Sequence, residues 1–570
     1  MAFRIRRMSA SLLLAALIGA SAPPAAEYDL LIRGGTLYDG SGAPGVVGDI
    51  AVKGDRIVHL GGKAPGTAKE TIDAQGLAVA PGFINMLSWA NDSLIEDGRA
   101  QSDIRQGVTL EVMGEGTSSG PLNPQMKKLV VERQGDIKYP ITWTTLGEYL
   151  DFLTKKGVST NVASFVGAAT VRENVLGEDD VDPTPAQLAE MRRIVRTAMQ
   201  EGAMGVGSSL IYAPASYAET PELIALVSEA AQCGGMYISH MRSEGDRLIE
   251  AIDELIEISR ASGAPAEIYH LKQAGQDNWG KLDAAIARIE DARKQGLRIT
   301  ADMYPYAIAG TGLDAAMPTW VQAGGLETWI ERLRDPKIRA RVIAEMKAPG
   351  EGWENLYRAA GGAENLIVVG FKNPALKPLT GKTLAEVAAM RGKSPEDTAI
   401  DLVIEDGSRV GTLYRLMSED NVRRQIGLPW MSFGSDEEAA ATEGVFLKYN
   451  NHPRAYGTFA RVLGHYVRDQ KAATLPDAIR RLSALPAENL GLKQRGRLAR
   501  DYLADIVVFD PATIADRATV AKPAQYATGM RHVIVNGVPV LRDGEHTGAK
   551  PGRVVRGAGW TGWPDGGRCK

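Results

Sequence analysis

The sequence predicts an α/β protein: a (β/α)8 TIM-type barrel with a small β-sandwich domain built from both termini and a helical insertion. Three observations predict it. Strand-like runs alternate with helical stretches across residues 81–485, β-rich segments of similar character flank that middle, and a mostly helical stretch interrupts it late. Alternation at this length argues for parallel β/α units with their strand ends on one face.

In chain order, "MAFRIRR" supplies three arginines ahead of the short apolar run "SLLLAALIGA" (11–20) and a set of small residues. This is the pattern of a secretory signal, and the run is too short to span a bilayer. Residues 1–26 are therefore expected to be removed, with cleavage between 20 and 26. The protein is expected to be exported, periplasmic or secreted, and free of membrane attachment afterwards. Loss of the three arginines would take the formal charge from −4 to −7, which offers no basic face for nucleic acid.

Next come "YDLLIRGGTLYDGSG" and "GDIAVKGDRIVHLG", alternating strands with glycine turns. They are matched late in the chain by "ADIVVFDP" (504–511) and "HVIVNGVPVLRDGEHTG" (532–548). Residues 27–80 and 486–557 are thus assigned to one small β domain. Within 81–485 the strands are "PGFIN" (81–85), "GVTLEVM" (107–113), "VASFVG" (162–167), "GAMGVGSSL" (202–210), "GMYISHM" (235–241), "AEIYHL" (266–271), "LRITADMYPY" (297–306) and "WMSFGSD" (430–436), the last followed by a helical "EEAAATEG". The stretches 184–202 and 245–263 carry apolar residues at three- and four-residue steps and end at glycine, as helices do. Residues 313–428 are too long for a βα loop and read as a helical insertion over the barrel mouth. Only Cys233 and Cys569 exist, and two unpaired thiols are expected rather than a disulfide.

His240 in "YISHMRSEG" and His270 in "IYHLKQAG" each close a predicted strand. Strand ends converge in a parallel barrel, so two imidazoles thirty residues apart can hold one divalent metal. Asp436 ends "MSFGSD", where a carboxylate can bind metal, exchange protons with water, or cap the next helix. Asp302 lies mid-strand, so either wall of the barrel could claim it.

The frame "GGTLYDGSG…GDIAVKGDRIVHLG…APGF", the two histidines, "DMYPY", "GSD", "NHPRAYGTFARVLGHYV" and "ADIVVFD", in order over nearly the whole chain, resembles the N-acyl-D-amino-acid deacylases (D-aminoacylases) of the amidohydrolase superfamily. The resemblance implies zinc and hydrolysis of an N-acyl amide bond. It also implies His240 and His270 as metal ligands, Asp436 as the catalytic general base and acid, and Lys272, Tyr304 and Arg454 around the substrate's carboxylate. A guanidinium with a second cation and a hydroxyl is apt for a free carboxylate.

Two departures stand out. The superfamily's His-x-His after "PGF(I)D" is replaced by Asn85-Met86-Leu87-Ser88-Trp89, so one metal is expected rather than two. The family's metal-binding cysteine in a "GNCG"-like turn is also missing from "QGVTLEVMGEG" (106–116), where column counting sets Gly116 opposite it. Glu115 is the expected substitute, as in N-acetylglucosamine-6-phosphate deacetylases, which pair a glutamate with two histidines. Glu111 competes but falls mid-strand. The expected substrate is a small N-acyl amino acid and the expected cofactor a single divalent ion, most simply Zn2+. Two alternatives stay open: another exported amidohydrolase acting on a D-dipeptide or cyclic amide, and a non-catalytic binding homologue with a degenerate site.

Overall fold

The computed structural model describes residues 27–569, so the expected signal segment, 1–26, lies outside the described residues. Eight parallel strands form the centre: β1 (Phe83–Asn85), β2 (Val108–Met113), β3 (Asn161–Ser164, continued by Val166–Gly167), β4 (Gly205–Ser209), β5 (Met236–His240), β6 (Ala266–Ile268), β7 (Ile299–Met303) and β8 (Met431–Phe433). The ring closes where the Met86 N–H donates to the Phe433 carbonyl at 3.2 Å and the Asp436 N–H to the Leu87 carbonyl at 2.8 Å.

Alternate strand residues serve two cores, as the two-residue period of a strand requires. Phe83, Val162 and Tyr237 pack with the surrounding helices, while Ile84, Ala163 and Ile238 join a separate apolar cluster. The helices follow local chemistry. Pro185–Gln200 starts at a Thr184–Gln187 capping box, and Leu248–Ser262 stops at Gly263, whose φ is +74°.

Strands from both ends of the chain share one nine-stranded sheet, in which Ala78–Pro81 pairs with Tyr28–Leu37 on one side and Ile506–Phe509 on the other. Leu30, Ile50, Ile506 and Ile534 share its core, so the sheet curls around apolar side chains from both termini.

Three expectations are corrected. The insertion after β7 is not simply helical: Ile308–Gly312, Gly411–Arg415 and Leu366–Gly370 form an antiparallel sheet among its helices, with a separate apolar core. Residues 437–443 contain no helix, so Asp436 caps none. The segment leans on strand-like pairing at Ser88–Glu437 instead. Finally, Cys233 and Cys569 are joined in a disulfide across 336 residues. The path of the tail explains the pairing. Gly552 N–H donates to Val158 O and Gly557 N–H to Gly202 O, each at 2.8 Å, which leads the tail to Cys233.

Candidate metal centre and catalytic site

The site gathers at the C-terminal ends of β2, β5, β6 and β8. Glu115 stands two residues past β2. Gly116 beside it has φ +66°, and a Cβ there would lie 2.4 Å from the Ser209 Cβ. No side chain fits at 116, so this turn can offer a ligand only from 115. His240 ends β5, and His270 follows β6 by two residues with φ +34°. Asp436 follows β8 with φ +52°. A left-handed backbone costs a non-glycine residue roughly 1–2 kcal/mol, and here two candidate site residues carry it.

Glu115 Oε1 lies 3.0 Å from His240 Nδ1 and 3.2 Å from His270 Nε2. One ligand atom from each of these buried residues falls within 4.8 Å of the others. Two imidazoles and a carboxylate form a donor set that fits a divalent cation such as zinc. Burial alone would raise the Glu115 carboxyl, but hydrogen bonds from both histidines hold it well below the usual carboxylate range. Glu111 faces elsewhere: its Oε2 accepts from Asn85 Nδ2 at 2.9 Å, and burial pushes it up to about 7. Asp302 turns towards the site's support, accepting the His270 backbone N–H at 2.8 Å.

The other predicted residues line the same cavity of about 480 Å³. Asp436 Oδ2 lies 2.7 Å from Arg454 Nη1. The contact is close in charge but poorly aligned, because Nη1 and Nε of this buried arginine have no hydrogen-bond partner. Tyr304 lies beneath the guanidinium, its ring centroid 4.4 Å away. Lys272 donates to Glu244 Oε1 at 2.5 Å and lies 2.7 Å from His270 Nδ1, so its charge is already compensated. Burial pushes the Asp436 carboxyl above its ordinary value, with Arg454 opposing the shift and Glu115 adding to it.

Three groups escaped the sequence reading. Glu244 lies behind both histidines, Oε1 3.0 Å from His270 Nδ1 and Oε2 3.5 Å from His240 Nε2. His270 Nδ1 is reached by both Glu244 and Lys272, whereas His240 Nε2 has no hydrogen-bond partner. Its position four residues after His240 was the available signal. His452 sets Arg454: its Nδ1 accepts the Arg454 backbone N–H at 2.9 Å, and its Nε2 donates to Ile308 O at 3.0 Å. The third is the indole N–H of Trp89, within hydrogen-bond distance of both Glu115 and Asp436.

Residues 70–541 match the model of an amidohydrolase family. The chain belongs to that family. This amidohydrolase is 34% identical over 532 residues to a D-aminoacylase of Alcaligenes xylosoxydans xylosoxydans, covering 93% of this chain and 97% of that protein. An N-acyl-D-glutamate deacylase of the same organism is 32% identical over the same shares. Among solved structures, an N-acyl-D-glutamate deacylase from Bordetella bronchiseptica, complexed with zinc and a phosphonate mimic of the tetrahedral intermediate, superposes with a TM-score of 0.77. It is 29% identical and matches 93% of this amidohydrolase and 99% of that chain. A D-aminoacylase structure at 30% identity and TM-score 0.75, matching 93% of this chain and 100% of its own, concerns a binuclear metal centre with one-metal activation and second-metal attenuation.

Proposed function

We propose that this amidohydrolase cleaves the N-acyl amide bond of N-acyl-D-amino acids, releasing a carboxylic acid and a D-amino acid. One observation carries the reading. A cation-fitting triad, the buried Asp436 carboxylate and the buried Arg454 guanidinium line one cavity. That order matches an amide with a free carboxylate beside it.

Glu115, His240 and His270 would hold a divalent cation, most simply zinc, which would supply Lewis-acid polarisation and a lowered pKa for water. Asp436 takes a proton from the attacking water and returns it to the leaving amine nitrogen. Arg454, already facing Asp436, supplies the positive charge that would receive the substrate's carboxylate, with Tyr304 and Lys272 lining the same cavity. The antiparallel sheet of the insertion brings Gly310 and Leu413 to the cavity wall, limiting bulk water.

We propose one ion per chain, because Leu87 and Trp89 bring no ligand where His-x-His would stand. The D preference rests on the relatives. Export is proposed on the apolar run 11–20 and on the Cys233–Cys569 disulfide, which suits an oxidising compartment. No helix among the described residues is long and apolar enough to cross a membrane.

The test is metal analysis together with steady-state rates on paired N-acetyl-D- and N-acetyl-L-amino acids, a D-dipeptide and a hydantoin. One zinc per chain and turnover of the D-acyl series are expected. Preference for the dipeptide or hydantoin would reassign the substrate, and absence of both metal and turnover would leave a binding protein.

A further inference from the structure

The departure at residues 85–89 has a second aspect besides the lost histidines. The Trp89 indole Nε1–H donates to Glu115 Oε2 at 2.9 Å and to Asp436 Oδ1 at 3.1 Å. Glu115 Oε1 is occupied by the two imidazoles, and Asp436 Oδ2 faces Arg454. Among the described residues, this one N–H is therefore the hydrogen-bond partner of the second oxygen of both carboxylates. The indole is held in place, since the Trp89 backbone N–H donates to Glu437 O at 2.9 Å and that of Ser88 to Val112 O at 2.9 Å. Two carboxylate oxygens brought this close in a buried site repel unless a cation or a donor lies between them.

We propose that Trp89 is a positioning residue that ties the metal-ligand carboxylate of Glu115 to the base Asp436 through one neutral donor. The proposal rests on the deacylase reading for its kinetics but not for its metal chemistry. A side chain that only filled space would make no such contacts. The indole does more: it orients Glu115 Oε1 towards the histidines and sets Asp436 facing the cavity. Trp89 is 40% exposed and lines the catalytic cavity and a neighbouring one, so the N–H can be removed without opening the core.

The experiment is Trp89→Phe, which keeps an aromatic ring and deletes the donor. Apoprotein of wild type and variant is titrated with Zn2+ against a competing chelator, and kcat and KM are measured on the zinc-loaded forms. Loss of a partner beyond the ligands typically costs ten- to a hundred-fold in metal affinity or activity. Weaker zinc binding of about that size is expected, with kcat lowered about tenfold or more and KM within about threefold. In an Asp436→Asn background, Trp89→Phe is expected to lower kcat by less than about threefold, because its effect on rate runs through Asp436. A folded Trp89→Phe with wild-type zinc affinity and kcat overturns the proposal, as does a full and independent kcat loss in the Asp436→Asn background. Trp89→Leu gives the same readout if the Phe variant does not fold. If wild type hydrolyses no N-acyl amino acid, the deacylase reading fails while the zinc titration still decides whether the tie exists.

Discussion

Asp436→Asn separates proton transfer from everything else the site does. At φ +52° most residues would strain the backbone, but asparagine, like the native aspartate, is among the non-glycine residues enriched in the left-handed region, so the variant should fold. The amide keeps the carboxylate's shape, and its oxygen can still accept from the Trp89 N–H. The Glu115–His240–His270 triad does not include residue 436, so the variant should hold as much metal as wild type, one ion per chain on the proposed reading. What is lost is the capacity to take a proton. A positioned acid–base group contributes about 10²–10⁴-fold, and kcat should fall by that factor, about 2.7–5.4 kcal/mol on the barrier. The assay is kcat and kcat/KM across pH, with zinc quantified in each preparation. Because burial raises the Asp436 carboxyl, the wild-type profile should climb with pH on a limb above the ordinary carboxylate range, as the base ionises. That limb should be gone in the variant. A folded, zinc-loaded Asp436→Asn that keeps wild-type kcat and the same acid limb would refute the assignment of the base.

Arg454→Lys keeps a cation but loses the fork. About one charge-assisted hydrogen bond disappears, so kcat/KM on N-acyl amino acids should fall about 10–100-fold, while an N-acyl amine without the carboxylate responds little. Glu115→Gln should bind zinc too weakly for it to raise the melting temperature, whereas chelator-treated wild type should regain several degrees on zinc addition in a thermal scan. Cys233→Ser should release the tail that crosses Val158 and Gly202, seen as faster hydrogen exchange over residues 549–569. Glu267, fully buried and bonded by Thr300, Ser432 and Asn489, is pushed up to about 7 by burial. Its ionised form is disfavoured in the fold, so stability is full below its usual value near 4.5 and declines as pH rises towards 7. Glu267→Gln should therefore gain melting temperature over wild type at pH 8 and not at pH 5.

What the sequence made legible was whatever has a period or a terminus. Alternation of strand and helix exposed the barrel, and histidines closing consecutive strands exposed two members of a cluster that fits a metal, because parallel strand ends must converge. The insertion's sheet was hidden: Leu366–Gly370 and Gly411–Arg415 are short runs set among strong helix formers, and their partner Ile308–Gly312 follows a strand with only a short turn between. The disulfide was hidden for another reason, since no local pattern records that a tail returns beneath a barrel to meet residue 233.

The residues missed at the site share one physical character: they act on ligands rather than on substrate. Glu244 lies against the far nitrogen of His270, His452 holds the Arg454 backbone, and Trp89 holds two carboxylates. Glu244 and His452 have types that bear chemistry but close no predicted strand, and tryptophan announces no chemistry at all. Its apolar bulk reads as a filled site until the single polar atom on the ring is located. Column by column, replacing histidine by tryptophan removes a metal ligand. In three dimensions it exchanges a lone pair for a donor between two acceptors that need one, so the substitution changes how the carboxylates are held rather than whether the site can work. That distinction depends on a contact between residues 89 and 436, far apart in the chain, which only the fold brings together.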